Sequence, residues 1–275
     1  MTRPRPEDAP AADSGPGPDG DRHSVRLLAA LAVVAVVALA VGLAVLPRIG
    51  SGTVPGRGTA ATIRPADLCP AVRQDDAAAL AACLVADLER TWSTRTGEAI
   101  GLRVEVDPTP ARVHHSCRAF LALGTAFYCP LDVRAYVTGA SVSGLRAEFG
   151  ERLPYGLATV VAHEAGHRVQ HAVDEPGLEG DGDVASRRVE QQADCLAGVW
   201  AADAARRGRV EPAAFRAVYA REMVLVSAVR PPPGSGLEGY DEIATHGTPA
   251  QRLAAFDRGA APGAEPAGAC SLRRG

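Results

Sequence analysis

His163-Glu164-Ala165-Gly166-His167 is the stretch from which the rest of the chain is read. On an α-helix, side chains four residues apart stand one above the other on the same face. Both imidazoles can therefore reach a single metal ion. Glu164 projects beside them, where its carboxylate can take a proton from a water held by that ion. The flanks support the helix: Leu157, Val160, Val161 and Val169 fall at helical spacing, and no proline interrupts the run from Tyr155 to Asp174. The predicted helix covers 155–173.

With seven histidines in 275 residues, chance would produce this five-residue pattern about 0.01 times in a chain of this composition. H-E-x-x-H on a helix is the ligand pair and general base of zinc peptidases. A catalytic zinc takes three protein ligands and leaves one position for water, so two histidines leave a gap. His171 lies eight residues beyond His163, about 12 Å of rise on a continuous helix. Gln170 stands where a sharp turn would call for glycine, so His171 is expected at the surface.

The better third ligand lies in Val189-Glu190-Gln191-Gln192-Ala193-Asp194. Glu190 and Asp194, four apart, share a helix face beside the apolar row of Val189, Ala193, Leu196 and Trp200. One carboxylate can ligate zinc while the other, a turn along, accepts the outer N–H of a ligand histidine and fixes its tautomer. Alone such a pair is more often a solvated face; beside His163 and His167 the balance reverses.

These residues carry a family resemblance. The blocks Phe127-Tyr128-Cys129-Pro130-Leu131-Asp132, Ala162–Gln170, Glu190–Trp200 and Thr245-His246-Gly247-Thr248-Pro249-Ala250-Gln251-Arg252 occur in this order. In them the chain resembles the bacterial neutral zinc metallopeptidase family, which is gluzincin-like. The resemblance implies Zn2+ held by His163, His167 and Glu190, Glu164 as general base, and Asp194 behind a histidine. It also places Cys117, Cys129, Cys195 and Cys270 in the family pattern, with Cys69 and Cys83 as additions. The chain departs from the family at Val224–Val229 and Pro231–Pro233, where relatives carry Gly-Asp-Asp, and at Ala255-Phe256 in place of Trp-Phe. His246 is a candidate donor to the oxyanion of the reaction, since Gly247 leaves the backbone free to turn that imidazole to the cleft. A buried structural histidine is the competing role. Arg252, one turn into the helix that Thr248 or Pro249 begins, is expected to hold that loop by an ion pair.

Around this core the rest of the chain arranges itself. A net charge of −3 and a pI near 6.2 give no reason to expect a nucleic-acid partner. All 29 basic residues are arginine, a sign of genome composition rather than chemistry. Residues 1–25, rich in Pro, Gly, Asp and Ala, are expected to form a disordered tail. Leu27–Leu46 is an uncharged apolar run of 20 residues, long enough to span a hydrocarbon core of about 30 Å. A retained single-pass signal anchor over 26–48 follows, longer than a cleaved signal peptide needs. All six cysteines lie after it, which sets the tail in the cytoplasm and the domain at 66–275 in an oxidising exterior. A Gly/Thr/Pro/Arg linker over 49–65 joins the two.

Within the domain, Leu80, Leu84 and Leu88 predict a helix over 74–92, and Leu102, Val104 and Val106 alternate like a strand. Cys117–Thr138 predicts a strand pair turning near Leu123-Gly124-Thr125, with Cys117 and Cys129 placed to staple the turn. Further helices are expected at 142–150, 184–207, 211–228 and 248–258. The fold class is α+β: a small antiparallel sheet packed on a mainly helical, zincin-like domain. Of the 15 pairings that six cysteines allow, Cys117–Cys129, Cys195–Cys270 and Cys69–Cys83 are expected. Gly180-Asp181-Gly182-Asp183 lacks the ligand spacing of a calcium loop and is taken as a solvated loop. The function expected is a membrane-anchored zinc endopeptidase, in which a zinc-bound water activated by Glu164 attacks the carbonyl of a peptide or protein substrate. The alternative is a non-catalytic anchored protein whose zinc site only holds the fold.

Overall fold

The computed structural model describes residues 64–175 and 183–272. The tail at 1–25, the membrane anchor at 26–48, almost all of the linker at 49–65 and the loop residues 180–182 lie outside them. Among the described residues no helix is long and apolar enough to cross a membrane.

Helix α1 (Ala77–Thr96) begins where Asp76 accepts a hydrogen bond from the Ala79 amide at 2.9 Å, and ends at Gly97 in the left-handed region. Its stripe of Leu80, Leu84, Leu88 and Trp92 is buried; each such side chain contributes about 1.5–3 kcal/mol relative to exposure. Asp87, also buried, accepts from the Trp200 indole at 3.0 Å and from Arg207, which ties α1 to a later helix.

The sheet corrects the sequence expectation. Strands β1 (Val104–Val106), β2 (Ala126–Cys129) and β3 (Arg134–Val137) lie in the order β1-β3-β2. β2 is antiparallel to β3, but β1 runs parallel to it, with Val104 opposite Ala135, so the sheet is mixed. β3 is the most buried strand and takes the centre, because Ala135, Tyr136 and Val137 are sealed on both sides. The turn is also displaced. Arg118–Leu123 forms a 3-10 helix, and the chain reverses instead over Pro130–Val133, where the Val133 amide bonds to the Pro130 carbonyl at 3.2 Å. Proline has no N–H to give to a strand ladder, which favours the turn there.

Next come α2 (Gly139–Phe149), capped by Thr138, and α3 (Leu153–Ala172). Then follow α4 (Asp183–Arg206), α5 (Pro212–Ser227), α6 (Glu242–His246), α7 (Pro249–Ala260) and α8 (Pro266–Ala269). The short α6 had no counterpart among the expected helices. Thr248 and Gln251 form a capping box at the start of α7, with Pro249 at its first turn.

α3 is the central helix, in contact with α1, α2, α4, α5 and two strands. Its Leu157, Ala158, Val161, Ala162, Ala165 and Val169 are buried. Gly166 sets its distance from α4: a Cβ there would lie 2.8 Å from both Cα and O of Ala193. α4 and α7 touch in the same way, since a Cβ on Gly259 would collide with the Cys195 carbonyl. Disulfides join Cys69–Cys83, Cys117–Cys129 and Cys195–Cys270, the last tying the segment after α8 to α4.

Candidate metal centre

The close crossing of α3 and α4 brings three side chains to one point. His163 and His167, a turn apart on α3, hold their Nε2 atoms 3.2 Å apart. Glu190 of α4 places Oε2 3.0 Å from His163 Nε2 and 3.1 Å from His167 Nε2. His246, at the end of α6, sets its Nε2 3.2 Å from the same oxygen. Ligand atoms of His163, Glu190 and His246 all lie within 4.8 Å of one another. Donors about 2.0–2.1 Å from a tetrahedral ion stand about 3.3 Å from each other, so the separations suit one small cation.

The outer nitrogens are held as well. His163 Nδ1 is hydrogen-bonded to Asp194 Oδ1 at 2.9 Å. The same carboxylate accepts from the Tyr219 hydroxyl at 2.7 Å and from Arg252 at 2.9 and 3.0 Å. Arg252 reaches on to Glu242 at 3.1 Å, and Glu242 accepts from the Tyr240 hydroxyl. His167 Nδ1 pairs with the Gln170 amide oxygen at 2.9 Å, and the Gln170 amide nitrogen donates to Val189 O and Gln192 Oε1. His246 Nδ1 pairs with the Thr245 hydroxyl at 2.8 Å and lies 3.5 Å from Glu242. Each ring is thus turned so that Nε2 points inward. Gly247, at φ 95°, follows His246 where a Cβ would come within 2.5 Å of the Gln191 side chain, so glycine is needed at that corner.

Charge explains why the cluster wants a cation. Asp194 and Glu242 share the Arg252 guanidinium, while Glu164 and Glu190 lie among the imidazoles of His163, His167 and His246. Burial resists charge on His163, yet Asp194 and Glu190 override it and push its pKa up to about 10. His167 is raised too: burial opposes, and Glu190 prevails. Against the upward push of burial, Arg252 and His163 hold the Asp194 carboxyl far below its ordinary range. Glu190 is depressed likewise, by His167 and His246. Burial raises Glu164, while the two motif histidines pull it back. Protons on the imidazoles supply positive charge that a divalent ion could supply instead.

The donors open on a cleft of about 560 Å³. Its lining includes Ala126, Phe127 and Tyr128 of the edge strand β2, and Glu222 of α5. Glu164 is 5% exposed, and no hydrogen bond to its carboxylate occurs among the described residues. His171 stands apart from the donors, half-buried, with Nδ1 bonded to the Tyr128 hydroxyl at 2.7 Å. Sequence reading missed Gln170, Tyr219, Tyr240 and Glu242. Gln170 was findable, three residues after His167 on one face, and Glu242 stands four before His246. Tyr219 carries no such signal, because only packing brings it to Asp194.

A mainly helical domain with a small mixed sheet and a partly buried His/Glu/His group of this kind has the donor set of a metal-binding protein. Residues 5–271 match the family described as "Putative neutral zinc metallopeptidase". The chain belongs to that family, whose cofactor is zinc. Uncharacterized protein YpfJ of Escherichia coli K12 is 26% identical over 201 residues, covering 68% of each chain. Uncharacterized proteins Mb2605 of Mycobacterium bovis and Rv2575 of Mycobacterium tuberculosis are each 41% identical over 80 residues, 27% of each chain. No solved structure matches.

Proposed function

We propose that the chain is a zinc-dependent endopeptidase acting outside the cytoplasmic membrane, anchored by the apolar segment within 26–48. The observation that carries the reading is the convergence of His163, His167 and Glu190 beside a buried Glu164 carboxylate that no described residue engages by a hydrogen bond. A site that only held the fold would have no use for that acid. Zinc, when bound, supplies a Lewis acid that polarises a carbonyl oxygen and acidifies water.

The three ligands hold the ion, and Asp194 and Gln170 keep the two motif imidazoles facing it. An extended peptide adds to the edge of β2, so that its backbone lies along Ala126–Tyr128 and one carbonyl enters the donor cluster. Glu164 takes a proton from the attacking water and passes it to the leaving amine. His246 Nε2 donates to the oxyanion as it forms, its ring steadied by Thr245 and Glu242. The three disulfides agree with an oxidising compartment.

The test is zinc content together with digestion of an unfolded protein substrate. The unaltered chain should carry zinc and cleave. Glu164→Gln should keep its zinc and lose about 10²–10⁴-fold in turnover, whereas Glu190→Ala should lose the zinc. Full zinc stoichiometry in Glu190→Ala would reject the ligand set. A zinc-loaded but inert unaltered chain would leave the site a structural one.

A further inference from the structure

The wall of the cleft that α5 builds carries a group which peptide hydrolysis at the metal centre does not use. Glu222 lines the cleft and is 5% exposed, and its Oε2 is buried with no hydrogen-bond partner among the described residues. Two cations lie near enough to influence it, Arg252 and Arg221. Both are committed elsewhere: Arg252 donates to Asp194 and Glu242, and Arg221 makes a forked pair with Glu148. A buried carboxyl group without a partner is costly to maintain. The same cleft is lined by the apolar side chains of Val160 of α3, Met223 and Val226 of α5, and Leu237.

We propose that Glu222 and this apolar wall form a subsite for a cationic side chain, arginine or lysine, of the peptide substrate. The inference rests on the endopeptidase reading and names its preference. An aliphatic stem would lie against Val160, Met223 and Val226, as long basic side chains do on apolar surfaces. The charged head would reach the carboxylate at Oε1, the oxygen not sealed in the wall, through a charge-assisted N–H···O bond. Burial pushes the Glu222 pKa up to about 7, so the group ionises readily near neutral pH when a cation arrives. A neutral aliphatic side chain would fill the same space and leave the acid unpaired. This selects for charge rather than size.

The experiment measures binding, so that it does not depend on turnover. The full chain carrying Glu164→Gln, loaded with Zn2+, is titrated with blocked peptides randomised around one central residue, either arginine or its uncharged isostere citrulline. Fluorescence anisotropy should show the arginine pool binding about tenfold or more tighter. Adding Glu222→Gln should shrink the gap to about twofold or less. Equal binding of the two pools, or none, overturns the proposal, as does a gap that survives Glu222→Gln. Digestion by the unaltered chain separates this from the function itself. Discrimination without cleavage would sink the endopeptidase reading and keep the cation site; cleavage without discrimination would do the reverse.

Discussion

His163 and His167 stand one helical turn apart, yet the regions behind them are built differently. Behind His163 lies a charged cluster: Asp194, fully buried, with Arg252, Tyr219 and Glu242 drawn from α5, α6 and α7. Behind His167 lies a neutral relay of amides, Gln170 to Val189 O and to Gln192, which in turn donates to the carbonyl of Cys270. Both fix a ring. Only the first also makes its ring more basic, and only the first holds charges that cannot be left alone. The charged side should therefore be the costlier to disturb, and the amide side should respond through geometry.

The largest effect is expected from Asp194→Ala. From sequence, Asp194 is an outer partner worth a loss of about 10–100-fold. The structure enlarges this, because the variant removes two hydrogen bonds of Arg252, which is 4% exposed and keeps only Glu242, together with the acceptor of the buried Tyr219 hydroxyl. A stability loss of about 3–5 kcal/mol should appear in urea unfolding of the metal-free chain. A loss under about 1 kcal/mol would mean that the cluster is not the fixed unit described here.

Gly166→Ala acts on both regions at once. Its Cβ would press on the Ala193 backbone and spread α3 from α4. About 1–3 kcal/mol of stability should go, with weaker zinc retention in competition against a chelator, since Glu190 moves away from both imidazoles. Unchanged retention would show that the helices need not touch here for the donors to meet.

Gln170→Ala removes three hydrogen bonds from neutral groups, at a cost of about 1–3 kcal/mol, and should lower zinc affinity about 10–100-fold. If it proved as destabilising as Asp194→Ala, the distinction between the two regions would fall.

The last test is one of pH, and it separates the regions by slope. The folded pKa of His163 is raised to about 10. Its contribution in the metal-free chain is therefore complete below the ordinary histidine value of about 6.5 and is lost as pH rises through the folded value. Unfolding free energy of the metal-free chain should fall across that window. Asp194→Asn should flatten the fall, whereas Gln170→Ala should leave its slope unchanged. A slope indifferent to Asp194→Asn would detach the carboxylate from the basicity of His163.

Much of the site was legible in the sequence because its parts repeat at helical spacing. The pair His163/His167 and the pair Glu190/Asp194 are each four residues apart, and an α-helix turns that spacing into a shared face. The leucines of α1, the extents of α3, α4, α5 and α7 to within a few residues, and the three cysteine pairs were readable in the same local way or through the resemblance. What connects these pieces was not readable. The parallel pairing of β1 with β3 and the turn at Pro130–Val133 depend on which segments meet, and alternation in a strand says only which face is buried. Tyr219 and Arg252 reach Asp194 from two separate helices, Glu242 joins through Arg252 from a third, and Glu222 Oε2 has no hydrogen-bond partner among the described residues while the two nearby arginines are held by other acids. Spacing along the chain records which side chains share a face. Which faces meet, and which buried charge finds a partner, is decided by packing among distant segments, and that is a property of the tertiary structure alone.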